Sequence, residues 1–287
     1  MFDVGTSPAT RRRVLLVLVA AILGISSSAV IVRAMVAPAL AIAAWRTLGT
    51  AALLSPAVPG AAPVIGRREV AGIALAGVAL ALHFWSWFAS LQHTTVLRST
   101  LLVSLVPAWT ALIEWGVFRV RPRAQHWLGL AIALPGLGLL AGTGGTASWF
   151  GDGLALLAGA LGAAYLLVGR RLRQGLPISA YMSLVCLAAT TMLFPAAWLT
   201  GTPLLGWSAT TWALLVAAIL GPQLLGHQGF NYALRWVPAS TVSAILLLEP
   251  VGATLFAAAL LGEVPGPGAV LGALIVLVGI GVATRPS

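Results

Sequence analysis

Residues 105–140 read LVPAWTALIEWGVFRVRPRAQHWLGLAIALPGLGLL, and residues 248–283 read LEPVGATLFAAALLGEVPGPGAVLGALIVLVGIGVA. Five of the prolines and glycines in each stretch superpose at one constant difference in residue number, which we call the repeat offset. Proline interrupts helices and glycine permits close helix packing, so matches at one offset indicate that one helical unit occurs twice. The matched pairs are Pro107 with Pro250, Pro122 with Pro265, Gly129 with Gly272, Gly136 with Gly279, and Gly138 with Gly281.

The repeat extends upstream with a slightly smaller offset, where LGISSSAVIVR at residues 23–33 faces LGAAYLLVGRR at residues 161–171. We therefore divide the chain into an N-terminal repeat, residues 1–145, and a C-terminal repeat, residues 146–287. Each repeat is predicted to hold five helices.

The composition places this chain in a lipid bilayer. Of its 287 residues, 60% are hydrophobic and only 8% are charged, whereas about a quarter are charged in ordinary soluble domains. The formal charge of +10 comes from arginines in short clusters at the ends of apolar runs. This arrangement is typical of membrane orientation and argues against nucleic-acid binding. The single cysteine, Cys186, leaves no internal disulfide to form.

Ten apolar segments approach the length of about 20 residues that a helix needs to cross the hydrocarbon core. We therefore predict an all-α integral membrane protein with ten transmembrane helices. The segments cover residues 13–35, 39–57, 69–91, 95–117, 125–142, 151–171, 178–199, 209–231, 238–261 and 267–284.

The arginines also predict the orientation of the spans. With the N-terminus in the cytoplasm, thirteen arginines fall on the cytoplasmic side, while Arg33 and Arg98 fall on the other side and Arg46 lies within the second span. Cytoplasmic loops carry the excess of basic residues, so we expect both termini in the cytoplasm. Because five is odd, the second repeat must enter the membrane from the opposite side. Such inverted repeats are typical of secondary transporters, whose substrate site lies near the bilayer midplane.

The chain resembles the ten-span EamA-type branch of the drug/metabolite transporter superfamily. Residues 246–283 resemble the second-repeat signature of that family, and residues 41–54 and 101–140 resemble the first repeat more loosely. The first repeat departs from the family pattern at Arg119 and Val120, where the family often carries a Gly-Glu pair. The resemblance implies export of amino acids or other small metabolites across the bacterial inner membrane. The abundance of tryptophan favours aromatic or bulky hydrophobic amino acids as substrates.

Two other functions stay open at this point. One is a multidrug or nucleotide-sugar transporter of the same superfamily, and the other is a non-transporting membrane enzyme or scaffold. The sequence has no Walker loop, HExxH motif or recognisable Ser/His/Asp set, which argues against an enzyme. We expect no cofactor and no metal, a small-molecule substrate, and the bilayer as the surroundings. The oligomeric state stays open, and a monomer is compatible with the sequence.

Polar residues within the eighth segment indicate where a substrate could bind. Gln223, His227 and Asn231 recur every four residues, followed by Arg235, and therefore share one stripe of a helix. Polar side chains are costly in lipid, so this stripe should face protein or water. An offset larger by one than the repeat offset pairs His227 with His83 and Asn231 with Trp87. These residues either line a midplane cavity or join neighbouring helices.

Aromatic residues supply further candidates for substrate binding. Tyr165 is predicted at the midplane, where a buried phenol needs a hydrogen-bond partner. Trp87 and Trp109 could form an aromatic wall for an apolar or cationic group. The alternative for both tryptophans is an interfacial belt, which explains most tryptophans of this chain.

Glu249, with Pro250, Pro107 and Arg46, is a candidate for coupling or gating. Three explanations of Glu249 stay open: a protonated carboxyl that is hydrogen-bonded, a pair with Arg46, or a site that binds and releases a coupling proton. Because the Glu-Pro pair is common among family members with different substrates, a structural or conformational role is favoured.

Overall fold

A computed structural model of the chain describes residues 6–94, 96–141, 148–261 and 266–283. Every regular element in these ranges is a helix. The α-helices are α1 (Pro8–Ser26), α2 (Ser28–Ala34), α3 (Ala39–Leu54), α4 (Arg67–His93), α5 (Val96–Val103), α6 (Val106–Gly116), α7 (Ala124–Ala141), α8 (Trp149–Leu172), α9 (Ile178–Leu199), α10 (Ala209–Ala218), α11 (Gln228–Ala233), α12 (Ala239–Leu246), α13 (Glu249–Leu261) and α14 (Pro267–Ala283). Two short 3₁₀ helices, Ser55–Ala57 and Pro59–Val64, follow α3, and a π-helix, Ile219–His227, joins α10 to α11.

The protein is an all-helical membrane protein. Five helical stretches of the described chain are long and apolar enough to cross a bilayer: Pro8–Ala34, Arg67–His93, Trp149–Leu172, Ile178–Leu199 and Ala209–Ala233. Helix is also present at the other predicted segments, in shorter or interrupted form. The count of ten crossings therefore stays a prediction. Pro265, which entered the repeat argument, and Arg285, one of the thirteen arginines counted on the cytoplasmic side, lie outside the described residues.

The fourth helical segment of each repeat is broken at equivalent positions. We predicted one continuous helix over residues 95–117 and another over 238–261, but the structure divides both. α5 ends at Val103 and α6 begins at Val106, while α12 ends at Leu246 and α13 begins at Glu249. The cause is the proline at the second position of each following helix, since proline lacks an N–H and clashes with the preceding turn. Glu249 therefore begins a helix and does not lie within one.

The π-helix changes the predicted polar stripe. Pro222 lies inside it and cannot donate a hydrogen bond to the preceding turn. The helix widens here, and the N–H of Gln228 bonds to the carbonyl of Gln223, five residues back. The wider turn shifts the register of the side chains that follow. Asn231 is fully buried, whereas Arg235 is exposed beyond the end of α11, so the stripe does not extend to Arg235.

α7 and α14 pack against each other with their backbones in contact. A Cβ on Gly136 would lie 2.7 Å from the carbonyl oxygen of Gly272, and one on Gly279 would lie 2.6 Å from that of Gly129. The earlier residue of α7 meets the later residue of α14, so these two helices are antiparallel. Four of the glycines matched by the repeat offset therefore build this contact, namely Gly129, Gly136, Gly272 and Gly279, whereas Gly138 and Gly281 have open space beside them.

The remaining helices bring the middle of the chain together. α4 packs on α8 and α9, and α3 packs on α9. α1 packs on the π-helix and on α11, and α6 packs on α8 and α12. The two helix breaks and the π-helix consequently meet near the centre of the bundle, where the candidate site lies.

We predict opposite effects for alanine at two glycines of α7. Gly136→Ala places a methyl group against the backbone of α14 and should lower the free energy of unfolding by about 1–3 kcal/mol. Gly138 has open space beside it, so Gly138→Ala should be neutral or stabilise the helix by up to about 1 kcal/mol. Thermal unfolding of the purified variants in detergent measures both. Equal stability of the two variants would contradict the close contact.

Candidate functional site

A cavity of about 50 Å³ lies at the centre of the bundle. Its wall is formed by α1, α4, α8, the π-helix, α11 and both helix breaks. Five residues that the sequence singled out line it: His83, Trp87, Tyr165, His227 and Glu249. The structure thus brings residues from both repeats together around one cavity.

Aromatic rings surround the two histidines. The imidazole centroids of His83 and His227 are 6.1 Å apart. The ring of Trp87 stacks on His83 at 6.2 Å, and the ring of Tyr165 lies edge-on to His227 at 6.2 Å. Phe84 meets His227 edge-on at 5.0 Å from behind the cavity wall. The pair of histidines therefore sits inside an aromatic wall and does not face lipid.

The hydrogen bond of His83 determines its tautomer. His83 Nδ1 lies 2.8 Å from the carbonyl oxygen of Ala158. A carbonyl can only accept, so Nδ1 carries the hydrogen and the neutral ring presents Nε2 as an acceptor. Gly162 permits this contact, because a Cβ there would lie 3.1 Å from His83 Nδ1.

Three buried polar atoms of the lining have no hydrogen-bond partner in the described part of the chain. They are Trp87 Nε1, His227 Nε2 and Glu249 Oε1. Buried polar groups are normally hydrogen-bonded, so such atoms in one cavity need a specific explanation. A ligand or water in the cavity would supply the missing partners.

Asn231 lies behind the cavity and holds Tyr165. Its Nδ2 donates to the hydroxyl of Tyr165 at 2.6 Å and to the carbonyl of His227 at 2.7 Å. The Tyr165 hydroxyl donates in turn to Met182 Sδ at 3.4 Å. Asn231 therefore positions two lining residues and does not itself belong to the lining.

Arg46 and Gln223 also lie outside the lining. Arg46 Nε donates to Gln223 Oε1 at 3.0 Å, and its Nη1 donates to Ser28 Oγ at 3.2 Å. The guanidinium carbon lies 4.5 Å from the ring centroid of Phe84, within reach of a cation–π interaction. The hydrogen bonds of Arg46 thus go to neutral partners, and Glu249 is not among them.

The other candidates from the sequence do not line the cavity. Trp109 is half-buried and packs against Gly159 of α8, where a Cβ would lie 3.3 Å from its ring. Pro107 and Pro250 are buried at the starts of α6 and α13. They place the two helix breaks at the cavity without lining it.

Sequence reasoning missed Ser104, Val106 and Phe230, which line the cavity. The repeat contained a signal for Val106, because the repeat offset pairs it with Glu249. Ser104 lies in the break between α5 and α6, which the sequence did not predict. Phe230 carried no signal, because an apolar residue within an apolar segment is unremarkable.

Arginines bond to helix ends at two places remote from the cavity. Arg33 donates to the carbonyl of Leu91 near the end of α4, and Arg170 donates to the carbonyl of Leu234 at the end of α11. Carbonyls in the last turn of a helix lack an intrahelical partner, which these side chains provide. Arg173, just beyond α8, bonds to the carbonyl of Asn231 at 3.1 Å. Burial and the nearby charge of Arg235 lower the pKa of Arg173 to about 10, so it stays protonated at neutral pH.

We predict that asparagine replaces His83 better than glutamine does. The amide of His83→Asn can occupy the position of Nδ1 and keep the bond to Ala158, whereas His83→Gln places its amide nearer Nε2. The Gln variant should be less stable by about 1 kcal/mol, the net value of one hydrogen bond. Thermal unfolding measures this, with the same two substitutions at exposed His93 as controls. A Gln variant more stable than the Asn variant would contradict the assigned tautomer.

Comparisons with known proteins agree with this architecture. Over 211 residues the chain is 27% identical to the uncharacterized transporter YwfM of Bacillus subtilis, covering 72% of this chain and 70% of that protein. Over 219 residues it is 25% identical to an uncharacterized transporter of Archaeoglobus fulgidus, covering 74% of each chain. A protein of known crystal structure shares the fold, with a TM-score of 0.77 at 20% identity, over 96% of this chain and 98% of the other.

One family matches two consecutive parts of the chain, which together cover nearly all of it. The sequence model of the EamA-like transporter family matches residues 12–142 and again residues 149–285. One match lies within residues 1–145 and the other within residues 146–287, the bounds that we predicted for the two repeats. This multi-pass membrane protein belongs to the EamA-like transporter family, within the drug/metabolite transporter superfamily.

Proposed function

We propose that the protein is a secondary transporter that exports amino acids, above all those with aromatic or bulky hydrophobic side chains, and related metabolites. The observation that carries the proposal is the central cavity, which residues of both repeats enclose behind an aromatic wall. Sites for small molecules usually occupy about 300–1,000 Å³, and this cavity measures about 50 Å³. Helices must therefore move apart before a substrate enters, as alternating access requires.

Several features support two inverted repeats of five spans. The repeat offset relates the last residue of α5 to that of α12, and the first residue of α6 to that of α13. Gly162 lets α8 approach His83, and its counterpart Gly24 lets α1 approach Gly226, beside His227. The antiparallel contact of α7 with α14 fits an axis in the membrane plane. Ten crossings, cytoplasmic termini and a bacterial inner-membrane location complete the proposal.

The arginine contacts at helix ends support alternating access. The repeat offset relates Leu91 to Leu234, and Arg170 immediately precedes Arg171, the upstream counterpart of Arg33. In the proposed topology these equivalent contacts lie on opposite membrane faces. Each joins the first helical segment of a repeat to the third. We interpret them as matched latches, one of which must open when its face of the cavity opens.

Counterflow in proteoliposomes tests the proposed function. Protein reconstituted with unlabelled phenylalanine inside should take up labelled phenylalanine from outside. His227→Ala should slow this exchange about tenfold or more, because it removes a polar and aromatic contact worth at least about 1.4 kcal/mol. His93→Ala, which changes an exposed histidine, is the matched control.

The folded yield of each variant must be measured beside its flux. Equal losses of yield and flux in His227→Ala would mean that this residue only joins helices. If the intact protein exchanges lipophilic cations or nucleotide sugars but moves no amino acid under any gradient, the proposed substrate class is wrong.

The latches predict opposite effects for two arginine substitutions. Arg33→Gln should open the cavity to the periplasmic side, since it removes the bond to Leu91. Arg170→Gln should open it to the cytoplasmic side, since it removes the bonds to Leu234 and Val237. A cysteine at Ser104 in a Cys186→Ala background reports access when a membrane-impermeant thiol reagent is added to either side. Arg68→Gln, at an exposed arginine, is the control. Increased labelling from the same side in both variants would contradict the latch assignment.

A further inference from the structure

The donors of several cavity side chains are already committed to the protein. Ser104 Oγ donates to the carbonyl of Thr100 at 2.7 Å, which leaves its lone pairs for the cavity. His83 donates through Nδ1 to Ala158 and leaves Nε2 as an acceptor. The Tyr165 hydroxyl donates to Met182 and accepts from Asn231. Ser104 and His83 can therefore offer a ligand acceptors but no hydrogen.

The unpartnered atoms of the lining further increase the excess of hydrogen-bond acceptors over donors. Glu249 Oε1 is buried without a partner in the described chain, and the ionised carboxylate that an ammonium ligand would favour only accepts. His227 Nε2 can either donate or accept a hydrogen bond, depending on the tautomer of the ring. Trp87 Nε1 is the one side chain of the described lining that can only donate. Three acceptors thus face a single obligate donor.

We propose that the cavity recognises a primary ammonium group through Glu249, His83 Nε2 and Ser104 Oγ. An ammonium group has three N–H donors and no acceptor, which complements this set. A volume of about 50 Å³ suits such a headgroup but not a whole substrate. The rings of Trp87 and Tyr165 beside it can also attract a cation. The inference rests on the proposed function in one respect: it takes this cavity as the substrate site.

Arg46 is the charge that opposes this assignment. Its guanidinium lies behind Phe84, which in turn contacts His227. A fixed cation at this position favours an anion in the cavity. However, Arg46 does not belong to the lining: it donates to Gln223 and Ser28, and its Nη2 is buried without a partner in the described chain. Hydrogen bonding in the lining therefore predicts a cationic ligand, whereas the field of Arg46 predicts an anionic one. Binding of ligands that differ only in charge distinguishes the two.

Three ligands that share one aromatic body test the charge preference. The probes are 2-phenylethylamine, which is protonated at neutral pH, 3-phenylpropionate, which is ionised, and 2-phenylethanol, which is neutral. We expect the amine to raise the melting temperature of the detergent-solubilised protein in a saturable way, since a ligand that binds the folded state stabilises it. The propionate should have no effect at equal concentration. An effect of the propionate equal to or above that of the amine, or no effect of the amine, would overturn the proposal.

Two variants and a control locate the interaction. Glu249→Gln should weaken binding of the amine about tenfold or more, because a charged hydrogen bond becomes neutral. It should change binding of 2-phenylethanol by less than about twofold. Ser104→Ala should weaken binding of the amine by a few fold, and it serves if Glu249→Gln does not fold. Glu69→Gln removes a carboxylate at the start of α4, remote from the cavity, and should leave all three affinities unchanged. Unaltered amine binding in both lining variants would refute the assignment.

The result separates this inference from the proposed transport. Selective, Glu249-dependent binding of the amine without amino-acid flux would support the ammonium site and refute transport of amino acids. Flux of phenylalanine that 3-phenylpropionate inhibits as strongly as 2-phenylethylamine does would support transport and refute the ammonium site.

Discussion

Hydrocarbon offers no hydrogen-bond partner, so each polar group within a membrane-spanning bundle must be satisfied by the protein or by what the protein encloses. This constraint explains the interior of the bundle. Arg46 finds Gln223 and Ser28, Asn231 finds Tyr165, and Ser104 and His83 find backbone carbonyls. Of the buried polar atoms without a partner in the described chain, those of Trp87, His227 and Glu249 line one cavity, while others, such as Arg46 Nη2 and Asn231 Oδ1, lie outside it. The cavity is therefore where unpartnered polar atoms from both repeats meet.

The cavity depends on irregular helices. Prolines break the fourth segment of each repeat, and Pro222 widens the eighth segment into a π-helix. Each irregularity frees backbone or side-chain polar groups, and such irregular backbone is tolerated at membrane depth only where it is buried in protein or lines a cavity. The duplication is not perfect, because Glu249 stands opposite Val106 at the two equivalent breaks. The acidic character of the cavity thus comes from the second repeat alone.

Several features were predictable because they depend on spacing. The matched glycines include residues that pack α7 against α14, although that contact was not itself predicted, and an offset larger by one related His83 to His227. The positions of the helices followed from the apolar segments. The helix breaks were not predicted, because proline in a membrane helix can also be accommodated as a kink. The role of Asn231 and the partners of Arg46 could not be predicted either, since hydrogen-bond partners between helices depend on packing and rotation that periodicity does not determine.

The central claim is that the two repeats together form one substrate site at the cavity. The most direct measurement is an experimental structure of the protein with a bound aromatic amino acid. A shared site predicts ligand density between His83 and His227, with contacts to residues of both repeats. Density confined to one repeat, or at a surface remote from both histidines, would contradict it.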